Sequence, residues 1–313
     1  MLLVRTICLL QLLLLFTTAT NVATTEISST GHGGDKAALV AFKEKISSHS
    51  VVLDSWNQST SYCNWEGVTC SKRQRWRVVA LDLSSQGLAG TISPAIGNLT
   101  FLRSLNLSAN TIQGEIPPTI GSLRRLRLID LSTNMLTGVI PSNISSWTSL
   151  TWMFINNNKG LQGSIPAEIG NMPSSLSALM LANNSITGTI PSSFGNLSQL
   201  FVLSLEINHL EGSIPAGIGN NAYLSVLQLS HNNLSGLLPP SLFNNISSLY
   251  WLDVAGNNLS AGRILSSIGN LANLRHLDFS ECLLTGVIPE SIGNLTQLRE
   301  LYLDSNNLLG RIP

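Results

Sequence analysis

The sequence predicts an α/β solenoid, which is a stack of similar coils that share one elongated core. Three observations support this fold class. A unit of about 24 residues recurs ten times between Val78 and Pro313, and every unit carries apolar residues at alternating positions. No single unit can bury its own leucines, so stability has to come from stacking neighbouring units.

Each unit contains the pattern LxxLxLxx followed by one marker residue, and neighbouring markers are 24 to 26 residues apart. The alternating leucines predict a short strand with one buried face. A marker asparagine at the following turn can satisfy backbone N–H and C=O groups of adjacent coils. Cys282 is interpreted as a buried substitute for the marker asparagine, and Gln86 as an exception in the first coil at the edge of the repeat array. The markers of coils one to ten are Gln86, Asn110, Asn134, Asn158, Asn184, Asn208, Asn232, Asn257, Cys282 and Asn306.

The marker is followed by LxGxIP, seen as LTGVIP at 136–141 and as ITGTIP at 186–191. Its glycine allows a backbone bend, and its proline limits strand pairing beyond it. With this tail the unit resembles the plant extracellular leucine-rich repeat over residues 78–313, about three quarters of the chain. The resemblance implies a right-handed superhelix with parallel strands on its concave face.

The composition argues against nucleic acid as a partner. The 17 basic and 17 acidic residues give zero formal charge, and only 11% of residues are charged. Serine, threonine and asparagine supply the polarity, which suits a glycoprotein surface. N-x-S/T sequons, the acceptors for N-linked glycans, occur at Asn57, Asn98, Asn106, Asn143, Asn183, Asn196, Asn233, Asn245, Asn258 and Asn294.

Residues 1–23 are predicted to be a cleaved signal peptide. Arg5 is followed by an apolar run over 7–16 and then by small residues. The alternative is a membrane anchor, but the run is shorter than the ~20 residues that a span needs. The prediction places the protein in the secretory pathway, and Cys8 is removed with the peptide.

Residues 24–77 are predicted to form an N-terminal cap. The tract DKAALVAFKEKI places Leu39, Phe42 and Ile46 on one helical face, with Asp35 as the N-cap. The basic cluster of Lys72, Arg73, Arg75 and Arg77 around Trp76 is interpreted as a solvated loop. Its alternative role is binding to an acidic wall polysaccharide or to a partner.

Cys63 and Cys70 are predicted to form a disulfide, because two cysteines this close in an exported protein most simply pair. A metal site is disfavoured, since no second cysteine or histidine pair lies nearby. The surrounding CNWEGVTC resembles the CxWxGVxC cap of plant extracellular repeats. The resemblance implies that this segment covers the open end of the first coil.

The x positions of LxxLxLxx should line the concave face, where solenoids bind ligands. We expect an exposed apolar patch on coils four to six, made of Trp152, Phe154, Met180, Val202 and Ile207. Coils seven to nine add His231, Trp251, Asp253, His276 and Asp278. Apolar residues beside charges are typical of recognition sites, although the aromatic residues would equally serve to cover neighbouring strands.

Three tracts carry a closer resemblance, to ectodomains of plant leucine-rich repeat receptor-like kinases, especially the pathogen-sensing subfamily. They are DKAALVAFKEKI, CNWEGVTC and VVALDLSSQGLAGTISPAIGNLTFL. The resemblance implies extracellular recognition of a peptide or protein ligand, with a membrane-anchored co-receptor kinase as partner, in defence or development. Later repeats, a C-terminal cap, a span and a kinase are not in this sequence, so a fragment or truncated form is expected.

Two alternatives stay open, a secreted polygalacturonase-inhibitor-like protein and a soluble decoy receptor. We expect no catalytic residues, no metal and no cofactor, because an open strand face offers neither a water-excluding cleft nor an oxyanion hole. The expected location is the apoplast, or the plasma membrane if a longer form carries a span.

Overall fold

The computed structural model describes residues 33–47, 50–172, 175–260 and 262–313. The predicted signal peptide lies outside these residues. The predicted solenoid is confirmed, because the coils stack so that strands of successive units pair in parallel and in register. No helix within the described ranges is long and apolar enough to cross a membrane.

The concave sheet has 11 strands, all parallel except the antiparallel pair β1 and β2. Its central leucines, such as Leu105 and Leu203, are fully buried, while the residues on either side of them face outward along the sheet. The strands are β1 (Val68–Ser71), β2 (Arg77–Asp82), β4 (Ser104–Asn106), β6 (Leu128–Asp130), β8 (Trp152–Phe154), β10 (Ala178–Met180), β12 (Val202–Ser204), β14 (Val226–Gln228), β16 (Trp251–Asp253), β17 (His276–Asp278) and β19 (Glu300–Tyr302).

A second parallel sheet runs along the side of the solenoid and was not predicted. It forms from the LxGxIP segments, in which the glycine adopts a positive φ, as at Gly114 with φ 77°. Its strands are β3 (Ala89–Thr91), β5 (Thr111–Glu115), β7 (Met135–Val139), β9 (Gly160–Ser164), β11 (Ser185–Thr189), β13 (His209–Gly212) and β15 (Asn233–Leu234), with β18 (Thr285–Val287) and β20 (Asn307–Leu309) as a separate pair.

Short helices complete the coils opposite the concave sheet, and a proline precedes many of them. The α-helices are α1 (Gly33–Lys43), α2 (Val51–Asp54) and α3 (Ser241–Asn244). The 3-10 helices are Tyr62–Asn64, Lys72–Gln74, Pro94–Asn98, Pro118–Ser122, Ser142–Ser146, Ala167–Asn171, Ser192–Asn196, Ala216–Asn220, Ser266–Asn270 and Glu290–Asn294.

The marker asparagines form the predicted ladder. Asn158 is fully buried, and its Oδ1 accepts a hydrogen bond from the Leu136 N–H at 3.1 Å. Its Nδ2 donates to the carbonyl oxygens of Leu131 in the preceding coil and Ile155 in its own, both at 3.1 Å. Each amide therefore joins two coils, and its oxygen supplies the acceptor for a buried backbone N–H such as that of Leu136.

Cys282 occupies the ladder as predicted. It is fully buried, and its Sγ donates to the Val254 carbonyl at 3.2 Å. Cysteine lacks the side-chain oxygen with which a marker asparagine accepts a backbone N–H of the preceding coil. Here the backbone carbonyl of Cys282 takes that role and accepts a hydrogen bond from the Leu259 N–H at 3.0 Å. Burial raises the pKa of the Cys282 thiol to about 12, which disfavours the nucleophilic thiolate.

The cap packs on the first coil as the sequence implies. Leu39 and Phe42 are fully buried, and Cys63 and Cys70 form the disulfide, with an S–S distance of 1.99 Å. The segment after α1 lies along β3, because the Ser47 N–H donates to the Ala89 carbonyl and the Thr91 N–H to the Lys45 carbonyl. The open edge of the second sheet is thereby covered.

Three expectations for the cap were wrong. Asp35 lies inside α1 rather than at its N-cap, and its buried carboxylate binds the Arg77 guanidinium at 2.6 and 2.8 Å and the Val78 N–H at 2.9 Å. Arg77 is therefore a structural cation that ties the cap to β2, not part of a solvated loop. Ile46 lies beyond the end of α1, where it bridges Gly90.

Candidate ligand-binding face

The predicted exposed apolar patch on coils four to six is largely covered. Trp152, Phe154 and Met180 are each 8% exposed, and Val202 is 1% exposed. The cause is the parallel register, which sets outward side chains of neighbouring strands side by side about 4.8 Å apart. These four residues build the floor of the face and do not stand free above it.

Ile207 is the exception, since it is 45% exposed at the turn after β12. Its φ is 56°, in the left-handed region that β-branched residues avoid. At this turn Asn157, Asn183 and His231 tolerate the left-handed φ better, while Thr133 in coil three is the other β-branched residue that adopts it. An apolar side chain is thus held in solvent at a local backbone cost.

An aromatic row crosses coils eight to ten on the strand face. The ring of Trp251 stacks on His276, with centroids 3.7 Å apart and planes 10° apart, and His276 lies 5.7 Å from the Tyr302 ring. His276 Nδ1 lies 2.6 Å from a carboxylate oxygen of Glu300. Trp251 Nε1 is buried and has no hydrogen-bond partner among the described residues. Tyr302 is 44% exposed, so the row ends in an accessible ring.

Carboxylates gather at the carboxyl ends of the strands in the second half of the solenoid. We call this set the acidic rim, and it consists of Glu206, Asp253, Asp278, Glu281 and Asp304. The Asp278 Oδ1 accepts from the N–H and hydroxyl of Ser280 at 2.9 and 2.5 Å. The same turn holds Asp82, Asn106 and Asp130 in the first three coils, so it fixes the side chain whether or not the group is charged.

Two members of the rim are partly desolvated. Burial raises the pKa of the Glu206 carboxyl, and the hydrogen bond from the Ser204 hydroxyl at 2.7 Å opposes this shift. Burial also raises the pKa of Asp253, against hydrogen bonds from the Ser230 hydroxyl and the Ala255 N–H. The sequence analysis did not single out Glu206, although its position holds serine, asparagine or alanine in the other coils up to coil nine.

Two predicted sequons lie on the same face. Asn106 and Asn183 are half-buried, and the Asn183 Nδ2 donates to the Asn157 Oδ1 at 2.9 Å. The other eight predicted sequon asparagines are exposed. A glycan attached to Asn106 or Asn183 would occupy the strand face at coils two and five.

Comparison with protein families supports the repeat assignment. The "Leucine rich repeat N-terminal domain" family matches residues 32–71, the "Leucine-rich repeat region" matches 59–211, and further leucine-rich repeat matches cover 223–245 and 266–308. Together with the stacked strands and the asparagine ladder, these matches define the chain as a leucine-rich repeat protein with an N-terminal cap.

Individual proteins and structures similar to this chain identify the group of leucine-rich repeat proteins to which it is related. The chain is 52% identical over 73 residues to the "LRR receptor-like serine/threonine-protein kinase EFR" of Arabidopsis thaliana, covering 23% of this chain and 7% of that protein. It superposes on the Arabidopsis receptor kinase HAESA, in a complex with the peptide hormone IDA and the co-receptor SERK1, with TM-score 0.80 and 35% identity. The crystal structure of PEPR1-AtPEP1 gives a TM-score of 0.78 and 31% identity.

The two structural matches cover 90% and 88% of this chain but 47% and 42% of the HAESA and PEPR1 chains. The chain therefore spans less than half of these solved relatives and a small part of EFR. It is homologous to the ectodomains of plant leucine-rich repeat receptor kinases.

Proposed function

We propose that this chain is an extracellular recognition module that binds a peptide or protein ligand on the concave face of coils four to ten. The observation that carries the proposal is Ile207, an exposed apolar side chain kept in a strained turn beside the strand face. Strain of this kind persists where the surroundings impose it, and it is frequent at binding sites. HAESA, whose fold this chain shares, is described in complex with a peptide hormone.

In this proposal Trp152, Phe154, Met180 and Val202 form the floor on which the ligand lies. Ile207, His231, Trp251, Asp253, His276 and Asp278 supply the side chains that contact it. Such a floor lowers the cost of binding, because buried side chains have already lost their rotamer freedom. An open strand face of this kind suits an extended chain better than a small molecule.

The biological setting follows from the relatives and is also proposed. The chain acts in the apoplast or at the plasma membrane after export, with N-glycans on its exposed sequons. Ligand recognition serves defence or development in a plant, and a membrane-anchored co-receptor kinase of the SERK1 kind, as in the HAESA complex, receives the bound ligand.

The proposal is tested by peptide capture. The full chain, secreted from plant cells, is incubated with the peptide fraction of apoplastic wash, separated by gel filtration and analysed by mass spectrometry for co-eluting peptides. Ile207→Asp is the variant, because an aspartate tolerates the left-handed turn but removes the apolar contact. Val139→Asp is the matched control, since Val139 is 53% exposed on β7 of the second sheet.

We expect peptides to co-elute with the wild type and with Val139→Asp, and to be depleted with Ile207→Asp. Equal depletion by both variants would remove the concave face as the site. The absence of any co-eluting peptide from the folded wild type would remove the proposed function.

A further inference from the structure

We propose that the ligand of the concave face is a basic peptide, with an apolar side chain against Ile207 and a lysine or arginine in the acidic rim about four residues away. This inference rests on the proposed function, and it adds the chemical class of the ligand and its register on the face.

Negative charge is concentrated at the strand ends in the second half of the solenoid. At the second outward strand position and over the four residues that follow each strand, coils six to ten carry five carboxylates, whereas coils one to five carry two, Asp82 and Asp130. No lysine or arginine stands at these positions in any of the ten coils. The arginines of the face, such as Arg275 and Arg299, precede their strands and lie at the opposite edge. A cation is therefore favoured at the carboxyl ends of coils eight to ten.

The aromatic row of Trp251, His276 and Tyr302 lies beside this charge. Tyr302 is 44% exposed and next to the stacked rings of His276 and Trp251. Guanidinium and ammonium groups bind the faces of aromatic rings as well as carboxylates. An arginine side chain fits this combination, because its planar head can stack on a ring while its N–H groups reach a carboxylate.

Hydrogen bonds already orient the carboxylates of Asp253 and Asp278. The Asp278 Oδ1 is held by Ser280, while its Oδ2 accepts no hydrogen bond from the described residues. Asp253 is fixed between Ser230 and the Ala255 N–H. A cation that binds here does not have to order these side chains, so more of the interaction energy appears as affinity.

The register follows from the spacing of the coils. Ile207 belongs to coil six and Asp278 to coil nine, three strand spacings away. At about 4.8 Å per spacing this is roughly 14 Å, which an extended peptide covers with about four residues of ~3.3 Å each. The apolar and basic side chains of the ligand are thus about four positions apart.

The test uses a random-octapeptide phage library selected on the full secreted chain. We expect the retained peptides to be enriched in arginine or lysine about four positions from an apolar residue. A consensus octapeptide and its arginine-to-citrulline analogue, which is neutral and similar in shape, are then titrated by fluorescence anisotropy. Citrulline should weaken binding to the wild type about tenfold, as expected for the loss of a positioned charge.

The variant Asp253→Asn/Asp278→Asn removes two charges from the rim and keeps the turns, because Asn106 already makes the same turn in coil two. The matched control is Asp82→Asn/Asp130→Asn, which makes the same change in coils one and three. For the rim variant, replacing arginine by citrulline in the peptide should weaken the affinity less than about twofold. For the control variant, the same replacement should weaken the affinity as much as it does for the wild type.

Each outcome decides a different question. Retained peptides without basic enrichment, or a citrulline effect that is equal on the rim variant and the wild type, overturn the basic-ligand inference and leave the proposed function standing. Failure of the folded wild type to retain any peptide overturns the proposed function as well.

Discussion

The asparagine ladder predicts the cost of cutting one link between coils. In Asn158→Ala the Leu136 N–H loses its acceptor and is left buried without a partner. The Leu131 and Ile155 carbonyls each lose one donor but keep a second, from Asn134 and Asn184 respectively. One orphaned N–H costs about 1–3 kcal/mol and each lost hydrogen bond about 0.5–1.5 kcal/mol, so the loss is about 3 kcal/mol.

The assay is thermal and urea unfolding followed by far-ultraviolet circular dichroism. With an unfolding entropy of about 2.1 cal/mol/K per residue, about 3 kcal/mol lowers the Tm of this chain of 313 residues by roughly 5 °C. Asn220→Ala is the control, because Asn220 is an exposed residue of a 3-10 helix and its loss should change stability by no more than about 0.5 kcal/mol. If both variants lost the same small amount, the ladder would not be a main source of coupling between coils.

Three further predictions follow from particular contacts. Gly90→Ala should lower the free energy of unfolding by at least about 3 kcal/mol, because Gly90 has a φ of 118° and a Cβ there would overlap the Lys45 carbonyl of the cap. Gly293→Ala should be near neutral in the same urea titration, since open space surrounds Gly293. Glu206→Gln should raise Tm near neutral pH and raise it much less near pH ~4. Burial raises the pKa of Glu206 in the folded state, so the stability that is present below the ordinary pKa is lost as the pH rises through this raised pKa. The exposed control Glu211→Gln should leave Tm unchanged in scanning calorimetry at both pH values. Ile207→Asn should stabilise the chain by about 1 kcal/mol by relieving the left-handed turn, as urea unfolding would show, and should weaken peptide binding.

The repeat markers made the main sheet and the ladder predictable. The leucine at each buried position and the asparagine at each marker repeat with constant spacing, so one unit specifies the rest. The second sheet was harder to predict from the sequence. In each coil only a few residues on either side of the LxGxIP glycine, such as Gly114, form strand pairs, and the proline that follows them indicates the end of a strand. Pairing there depends on the neighbouring coil, which a local pattern does not contain.

The exposure of individual face residues was not predictable from alternation alone. The pattern places Trp152 and Phe154 on the outward side, but their burial depends on the side chains of both flanking strands. Asp35 shows the same limit, because its partner Arg77 is 42 residues away and reads as part of a basic loop. Cys282 was predictable as a substitute in the ladder, yet the backbone carbonyl that replaces the missing acceptor was not.

The positions that hold the solenoid together are separate from the outward positions of the strand face. Buried leucines and ladder asparagines recur because every coil needs them, whereas the outward positions differ from coil to coil and are free to vary. Ile207 is an unfavourable residue for its left-handed turn, since asparagine, histidine or serine would fit this turn at lower cost in stability. We propose that the ligand of the concave face is the reason why a residue that costs stability stands in solvent beside the acidic rim.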